Sequence, residues 1–254
     1  MSGPIQSIER AAAILRLLSG RSRRLGVVEL AGQLGLPKGT VHGILRTLQT
    51  VGFVEQDNES GKYQLGAALL HIGSSYLDAN ELRTRALNWA DALATQSDES
   101  VRIGTLHERQ VLIVHHVFRP DDSRQALEVG SLVPTHASAL GKALLAHHTY
   151  LVDQLRAEQL VSYTPATVTD VKELERELDA VRGRGWASEV GELFPGVASI
   201  AAPIEDRRGV IEGSIGISGP IERLCEGRSL RSQLVGYVMQ SARTVSRELG
   251  AIPW

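Results

Sequence analysis

Lys38, Thr40, His42 and Arg46 are closely spaced hydrogen-bond donors on the stretch Leu36-Pro37-Lys38-Gly39-Thr40-Val41-His42-Gly43-Ile44-Leu45-Arg46-Thr47-Leu48. At helical spacing Val41, Ile44, Leu45 and Leu48 fall on one side and the donors on the other. Donors of these types near the start of a helix suit contacts to phosphates and to base edges in the major groove. Any two short amphipathic helices would share much of this pattern, so a plain helical hairpin is left open by these residues alone.

The neighbouring elements narrow the choice. Val27, Leu30, Ala31 and Leu34 form a second apolar stripe that stops at Leu34-Gly35-Leu36-Pro37, a tight turn between two short helices. The later helix ends at Gly52, suited to the left-handed conformation. Phe53-Val54-Glu55-Gln56 and Lys62-Tyr63-Gln64-Leu65 then flank Asp57-Asn58-Glu59-Ser60-Gly61, a strand, turn and strand placed as a wing. Ile8, Ala11, Ala12, Leu15 and Leu18 supply a first helix. Residues 1–66 are therefore expected to be a winged helix-turn-helix domain. Lys62 and Gln64 are its candidate wing contacts to the DNA backbone. The run Arg21-Ser22-Arg23-Arg24 fits either a solvated loop or phosphate contact.

After Gly66, Ala68, Leu69, Ile72 and Tyr76 make one helical stripe and Leu82, Ala86, Trp89 and Leu93 another, broken near Asp78-Ala79-Asn80. Residues 67–80 read as a linker helix, with Gly73-Ser74-Ser75 as its weak point and possible hinge. Such stripes serve packing within a domain or pairing of two chains. Because two half-sites require two-fold symmetry, a homodimer is expected through this stretch.

From Ser100 the texture changes. Val101–Leu106 and Gln110–Val117 read as paired strands around His107-Glu108-Arg109. Helices are expected from about Leu140 and over Asp170–Arg182, with Glu173 placed to close a capping box on Asp170. Ser199–Ile204 and Val210–Ser218 form a hairpin, and a last helix covers about Leu230–Leu249. This mixed order argues for an α+β sensor domain over residues 81–254.

Composition agrees. At 43% hydrophobic and 22% charged, the 254 residues are those of an ordinary globular protein. The net charge of −2 divides into +3 for residues 1–66 and −5 for the rest, an asymmetry suited to a DNA module joined to a sensing module. The single Cys225 allows no internal disulfide, which fits a reducing cytoplasm. No leader pattern and no uncharged apolar run of membrane-spanning length is present, so neither secretion nor a membrane span is expected.

Catalytic constellations are missing. Gly213-Ser214-Ile215-Gly216 lacks the spacing of a nucleophile elbow. Gly141-Lys142-Ala143 has no glycine at the position a P-loop requires, and Gly183-x-Gly185 follows a helix and lacks a third glycine. His115-His116 and His147-His148 are adjacent pairs whose side chains diverge, and there is no H-E-x-x-H or C-x-x-C for zinc. No catalytic residue, cofactor or metal is expected. The small-residue run Gly213-Ser214-Ile215-Gly216-Ile217-Ser218-Gly219 leaves room either for a ligand or for a closely packed helix.

In order and spacing, several motifs resemble the isocitrate lyase regulator (IclR) family of bacterial transcription factors. They are Ser7-Ile8-Glu9-Arg10-Ala11, Leu36–His42, Tyr63-Gln64-Leu65-Gly66, His136–Ala146, Ala201-Ala202-Pro203-Ile204, Gly209 and Ile217-Ser218-Gly219-Pro220. Gly39 stands where the family usually has Ser, and Gly43 where it usually has Arg. The resemblance implies a GAF-like effector domain with a central antiparallel sheet. It implies that Lys38, Gly39, Thr40, His42, Arg46, Lys62 and Gln64 meet double-stranded operator DNA. It also maps an effector pocket onto Gln125, Val133, Ala139, Leu140, Glu189, Val197, Ser199, Gly216 and Ser218. Members that bind small carboxylates often carry Cys at the Ser199 position and Ser at the Gly216 position. Here Glu189, Ser199 and Ser218 suit a ligand bearing alcohol groups, such as glycerol 3-phosphate, with Arg102, Arg119 or His136 as candidate phosphate donors. The expected function is repression of a catabolic operon for glycerol or another polyol, relieved by a small effector. The alternatives are an activator of the same architecture responding to a small organic acid, and an enzyme with a DNA-binding appendage. A dimer of dimers is compatible with either regulator.

Overall fold

The computed structural model describes residues 3–20, 24–121, 125–227 and 229–251. The chain divides into two compact units, Met1–Ala79 and Asn80–Trp254.

In the first unit, α1 (Gln6–Leu18) buries Ile14 and Leu18. Ile8, placed by its spacing on the buried stripe, is instead 63% exposed, along with the rest of the first turn of α1. In α2 (Val27–Leu34) the Gly26 N–H at the helix start donates to Glu29 Oε2 at 2.6 Å, and Leu30 and Ala31 are buried. Gly35 adopts φ +63°, a left-handed turn that costs a residue with a Cβ and lets the chain reverse into Pro37. The third helix, α3 (Lys38–Thr50), buries Val41, Leu45 and Leu48. The wing strands β1 (Val54–Gln56) and β2 (Tyr63–Leu65) are antiparallel, and Leu25 bridges to Tyr63. Ile14, Leu18, Leu30, Val41, Leu45, Val54 and Tyr63 close one apolar core. Next comes α4 (Ala67–Asp78), anchored where the Ala67 N–H meets Glu55 and the Ala68 N–H meets Gly52 O. It runs unbroken through Gly73-Ser74-Ser75, where the serine hydroxyls return to His71 O at 2.9 and 3.2 Å.

The second unit begins with α5 (Glu81–Ser97), capped by Asn80, which accepts the Arg83 N–H at 2.8 Å. Its buried face is Leu82, Ala86, Ala90, Leu93 and Ala94; Trp89, expected on it, lies off to the side at 36% exposure. The chain continues through β3 (Ser100–His107), β4 (Gln110–Val117), β5 (Leu132–Pro134), α6 (Ala139–Leu145), α7 (Thr149–Leu155), α8 (Val171–Arg184), β6 (Ala187–Val190), β7 (Val197–Glu205) and β8 (Ile211–Pro220). It finishes with α9 (Ile221–Leu224), β9 (Cys225–Glu226), β10 (Ser229–Leu230) and α10 (Ser232–Glu248). Six strands form one antiparallel sheet in the order β5-β4-β3-β8-β7-β6. Alternation along β8 assigns its faces. A Cβ on Gly213 would strike Leu82 of α5, while the Ser214 hydroxyl reaches Leu140 O of α6 at 3.1 Å. Thus α5 and α10 cover one face, and α6 with α8 behind it covers the other.

Asp170 caps α8, accepting the Lys172 N–H at 2.9 Å, and Glu173 does not complete the expected capping box. Strands β5 and β6 and helix α7 escape the sequence reading because they are short and lack clear apolar periodicity. Cys225 is a buried free thiol. Among the described residues no helix is long and apolar enough to cross a membrane, and no His, Cys, Asp and Glu cluster is arranged to hold a metal.

Candidate functional site

The outer face of α3 is set by its inner one. With Val41, Leu45 and Leu48 buried, Lys38, Gly39, His42, Gly43 and Arg46 must face outward, and all are exposed, while Thr40 is half-buried at the edge. Lys38, His42 and Arg46 are spaced at four-residue intervals, lining one stripe over about 12 Å of helix axis. Among the described residues none of these three side chains makes an ion pair or hydrogen bond within the chain, so their donors are available. A Cβ on Gly39 or Gly43 would meet nothing within 4 Å. No packing constraint selects glycine at either place.

The wing is more committed. Lys62 Nζ pairs with Glu29 at 3.3 Å, and Gln64 Oε1 accepts from Arg24 Nε at 2.9 Å. Arg24 also pairs with Asp57 at 3.1 Å, so this member of the basic run braces the wing; Arg21, Ser22 and Arg23 lie outside the described residues. The turn is knitted by Asp57, whose Oδ1 accepts from the Ser60 hydroxyl at 2.6 Å and the Ser60 N–H at 2.8 Å. Those bonds, the hydroxyl first, hold the Asp57 carboxyl below its usual range. The tip, with Asp57 and Glu59, is acidic, so the donors presented by this unit are concentrated on α3.

In the second unit a cavity of about 150 Å³ opens between the sheet and α6. It is lined by Val133 of β5, Ala139 and Leu140 of α6, Glu189 of β6, Val197 and Ser199 of β7, and Gly216 and Ser218 of β8. Of the positions assigned by resemblance only Gln125 is elsewhere: its amide bonds the Arg119 N–H and O at 2.8 and 2.9 Å, closing its own loop. Strand register explains the rest. Glu189 stands opposite Ser199, and Ser199 opposite Ser218, giving a polar row across three strands. The Ser199 hydroxyl donates to Glu189 Oε1 at 2.8 Å and lies 3.0 Å from Ser218 Oγ. A hydroxyl carries one proton, so the row is satisfied when Ser218 donates to Ser199 and Ser199 to the carboxylate. Burial pushes the Glu189 carboxyl above its ordinary value, and the Ser199 bond opposes that shift. At Gly216 a Cβ would fall 2.5 Å from Ile200 O and 2.8 Å from Ala201 Cβ. The backbone approach itself therefore excludes the side chain that carboxylate-binding members are expected to have there.

Arg102 pairs across the ladder with Gly216 and lines the same cavity. One arm of its guanidinium meets Glu128 at 2.7 Å, while its buried Nε has no partner among the described residues. Of the three candidate phosphate donors it alone is in place. Arg119 lies by Glu99 and Asp121, and His136 Nε2 faces Val161 O at 2.9 Å. Glu128, Leu193 and Phe194 are lining residues that the sequence reading missed. Phe194, 57% exposed and followed by Pro195-Gly196, carried the available signal: an apolar ring on a turn. A wider groove of about 490 Å³ beside α10 holds none of the assigned positions, and its arginines include Arg182 and Arg184 at the end of α8, where cations offset the helix dipole.

Comparison with known proteins decides what this pairing of units is. The IclR helix-turn-helix domain matches residues 7–58, and the bacterial transcriptional regulator IclR C-terminal domain matches residues 74–247. The chain belongs to the IclR family of bacterial transcriptional regulators. It is 55% identical to the glycerol operon regulatory protein of Streptomyces coelicolor and 53% identical to that of Streptomyces griseus, in each case over 99% of both chains. A crystal structure of an IclR transcriptional regulator from Alicyclobacillus acidocaldarius, 29% identical, superposes with a TM-score of 0.84 over 98% of this chain and 100% of that one. This IclR-family chain is accordingly a DNA-binding transcriptional regulator and not an enzyme.

Proposed function

We propose that this regulator represses an operon for glycerol or a related polyol, and that a phosphorylated polyol such as glycerol 3-phosphate relieves the repression. The observation that carries the reading is one small cavity with a hydroxyl-and-carboxylate row, Glu189-Ser199-Ser218, on one wall and the Arg102 guanidinium on the same sheet face. Hydroxyls of a ligand exchange hydrogen bonds with that row, and an anionic end takes donors of Arg102. The cavity is smaller than the ~300–1,000 Å³ of sites for drug-sized molecules, which suits a ligand of few carbons. The whole-length similarity to two glycerol operon regulatory proteins supports the choice of polyol.

Residues 1–66 read operator DNA through Lys38, Gly39, Thr40, His42 and Arg46, with Lys62 and Gln64 in support, residues 67–80 link the domains, and residues 81–254 bind effector. The protein works in the cytoplasm as a homodimer on an inverted repeat. Leu70, Ile72 and Tyr76 of α4 supply apolar surface for the pairing, and no residue of α4 is buried within the chain. Calorimetry of the full-length protein with glycerol 3-phosphate, glycerol, glyoxylate and an aromatic acid tests the effector assignment. Tight binding of the phosphorylated polyol alone is expected; binding of only a simple acid would overturn it.

A further inference from the structure

Lys142, on α6, is fully buried at 0% exposure and is the bulkiest side chain so enclosed among the described residues. An ammonium in such a place persists only when opposite charge and hydrogen bonds surround it. Two carboxylates do so: Glu192 Oε1 lies 2.5 Å from Nζ and Glu177 Oε2, on α8, lies 2.9 Å away.

Glu192 is the connecting residue. Its carboxylate holds Lys142, while its backbone N–H donates to Glu189 Oε2 at 3.0 Å. Its backbone O accepts from the Thr167 hydroxyl at 2.6 Å, and the preceding Gly191 O accepts from the Thr164 hydroxyl at 2.6 Å. One residue thus joins a buried cation to the carboxylate of the effector row. The next two, Leu193 and Phe194, line the cavity. Glu189 has two oxygens with separate tasks: Oε1 takes the Ser199 hydroxyl and Oε2 takes the Glu192 N–H. The second bond fixes the plane in which the first is offered.

We propose that Lys142 is a positioning residue for effector recognition: by holding Glu192 it fixes the Glu189 carboxylate and the 191–194 rim for a ligand hydroxyl, and through Glu177 it ties that geometry to α8. This rests on the effector-cavity reading above. Burial raises the proton affinity of both Glu189 and Glu192, and the ammonium opposes the shift at Glu192; removing it takes away the ion pair that holds that carboxylate in place. Arg102 lies outside this network, so capture of a bare anion does not depend on it.

The test uses full-length protein with glycerol 3-phosphate and, separately, inorganic phosphate as probes. Lys142→Met removes the charge at similar length, Lys142→Arg retains it, and Glu192→Gln breaks the ion pair with a smaller change should Lys142→Met not fold. For Lys142→Met or Glu192→Gln, effector-free operator affinity should stay within about twofold of wild type, while glycerol 3-phosphate binding weakens about tenfold or more, ~1.4 kcal/mol. Inorganic phosphate binding should be unchanged, and Lys142→Arg should recover part of the loss. A purely structural role would instead lower the melting temperature and leave the binding of both probes alike. If Lys142→Met and Glu192→Gln both bind glycerol 3-phosphate as wild type does while Glu189→Gln does not, the positioning role is wrong and the cavity reading stands. If Glu189→Gln also binds normally, the cavity reading falls and this inference with it.

Discussion

Arg46 is the side chain on which the proposed operator reading most depends. It is exposed on the outer stripe of α3, held by no partner among the described residues, and long enough to place two donors on one base edge. Arg46→Ala should weaken operator binding by ~1–3 kcal/mol and relax preference at one base position, measured by fluorescence anisotropy over a set of operator variants. An unchanged affinity and preference would remove Arg46 from the interface. Lys62 is a different case, because it must leave Glu29 before it can neutralise a phosphate. The pair is exposed, worth no more than ~1 kcal/mol, so DNA can compete for the lysine. Lys62→Ala should lower affinity for all sequences alike and reduce the salt slope by about one, read from anisotropy titrations at several salt concentrations. At this scale the sequence was legible where backbone register dictates the outcome. Glu189, Ser199, Ser218 and Gly216 reach one cavity because neighbouring strands place them there. Gln125 does not line that cavity, because its amide satisfies its own loop, a local choice that no periodicity records.

At the scale of elements, helices were legible from their buried stripes and least so at their ends. Ile8 continues the apolar spacing of α1 but is exposed, whereas Ile14, nearly two turns later, is fully buried. Strand β6 is only four residues long and two of them are polar, so it carried no strand signal; one of the two, Glu189, is what it contributes to the cavity and its row. Gly43 offers an element-scale test. It sits inside α3, where glycine costs up to ~1 kcal/mol relative to alanine, and a Cβ there meets nothing within 4 Å. Gly43→Ala should therefore raise the stability of the DNA-binding unit by up to ~1 kcal/mol in urea unfolding. A loss of stability would mean that α3 needs glycine for a reason absent from its packing.

On the proposed function, two half-sites, one buried ligand and one linking segment would make the whole molecule a coupled system. Residues 1–66 carry net positive charge and the remainder net negative charge, the asymmetry expected of a DNA module joined to a sensing module. Sedimentation at micromolar concentration should show a dimer or a multiple of it, binding an inverted repeat with half-sites spaced by whole helical turns of ~34 Å. A monomer that still binds operator tightly would contradict this. Effector and operator affinities are reciprocal: a ligand that weakens operator binding tenfold must itself bind the operator complex tenfold less well, a coupling of ~1.4 kcal/mol. The most direct test of the account is operator affinity titrated against glycerol 3-phosphate for wild type and Ser199→Val. Wild type should lose operator affinity about tenfold or more at saturating effector, and Ser199→Val should bind operator normally and not respond, because the change removes the central hydroxyl of the Glu189-Ser199-Ser218 row and nothing from α3. A Ser199→Val protein that releases operator at the wild-type effector concentration would contradict the account.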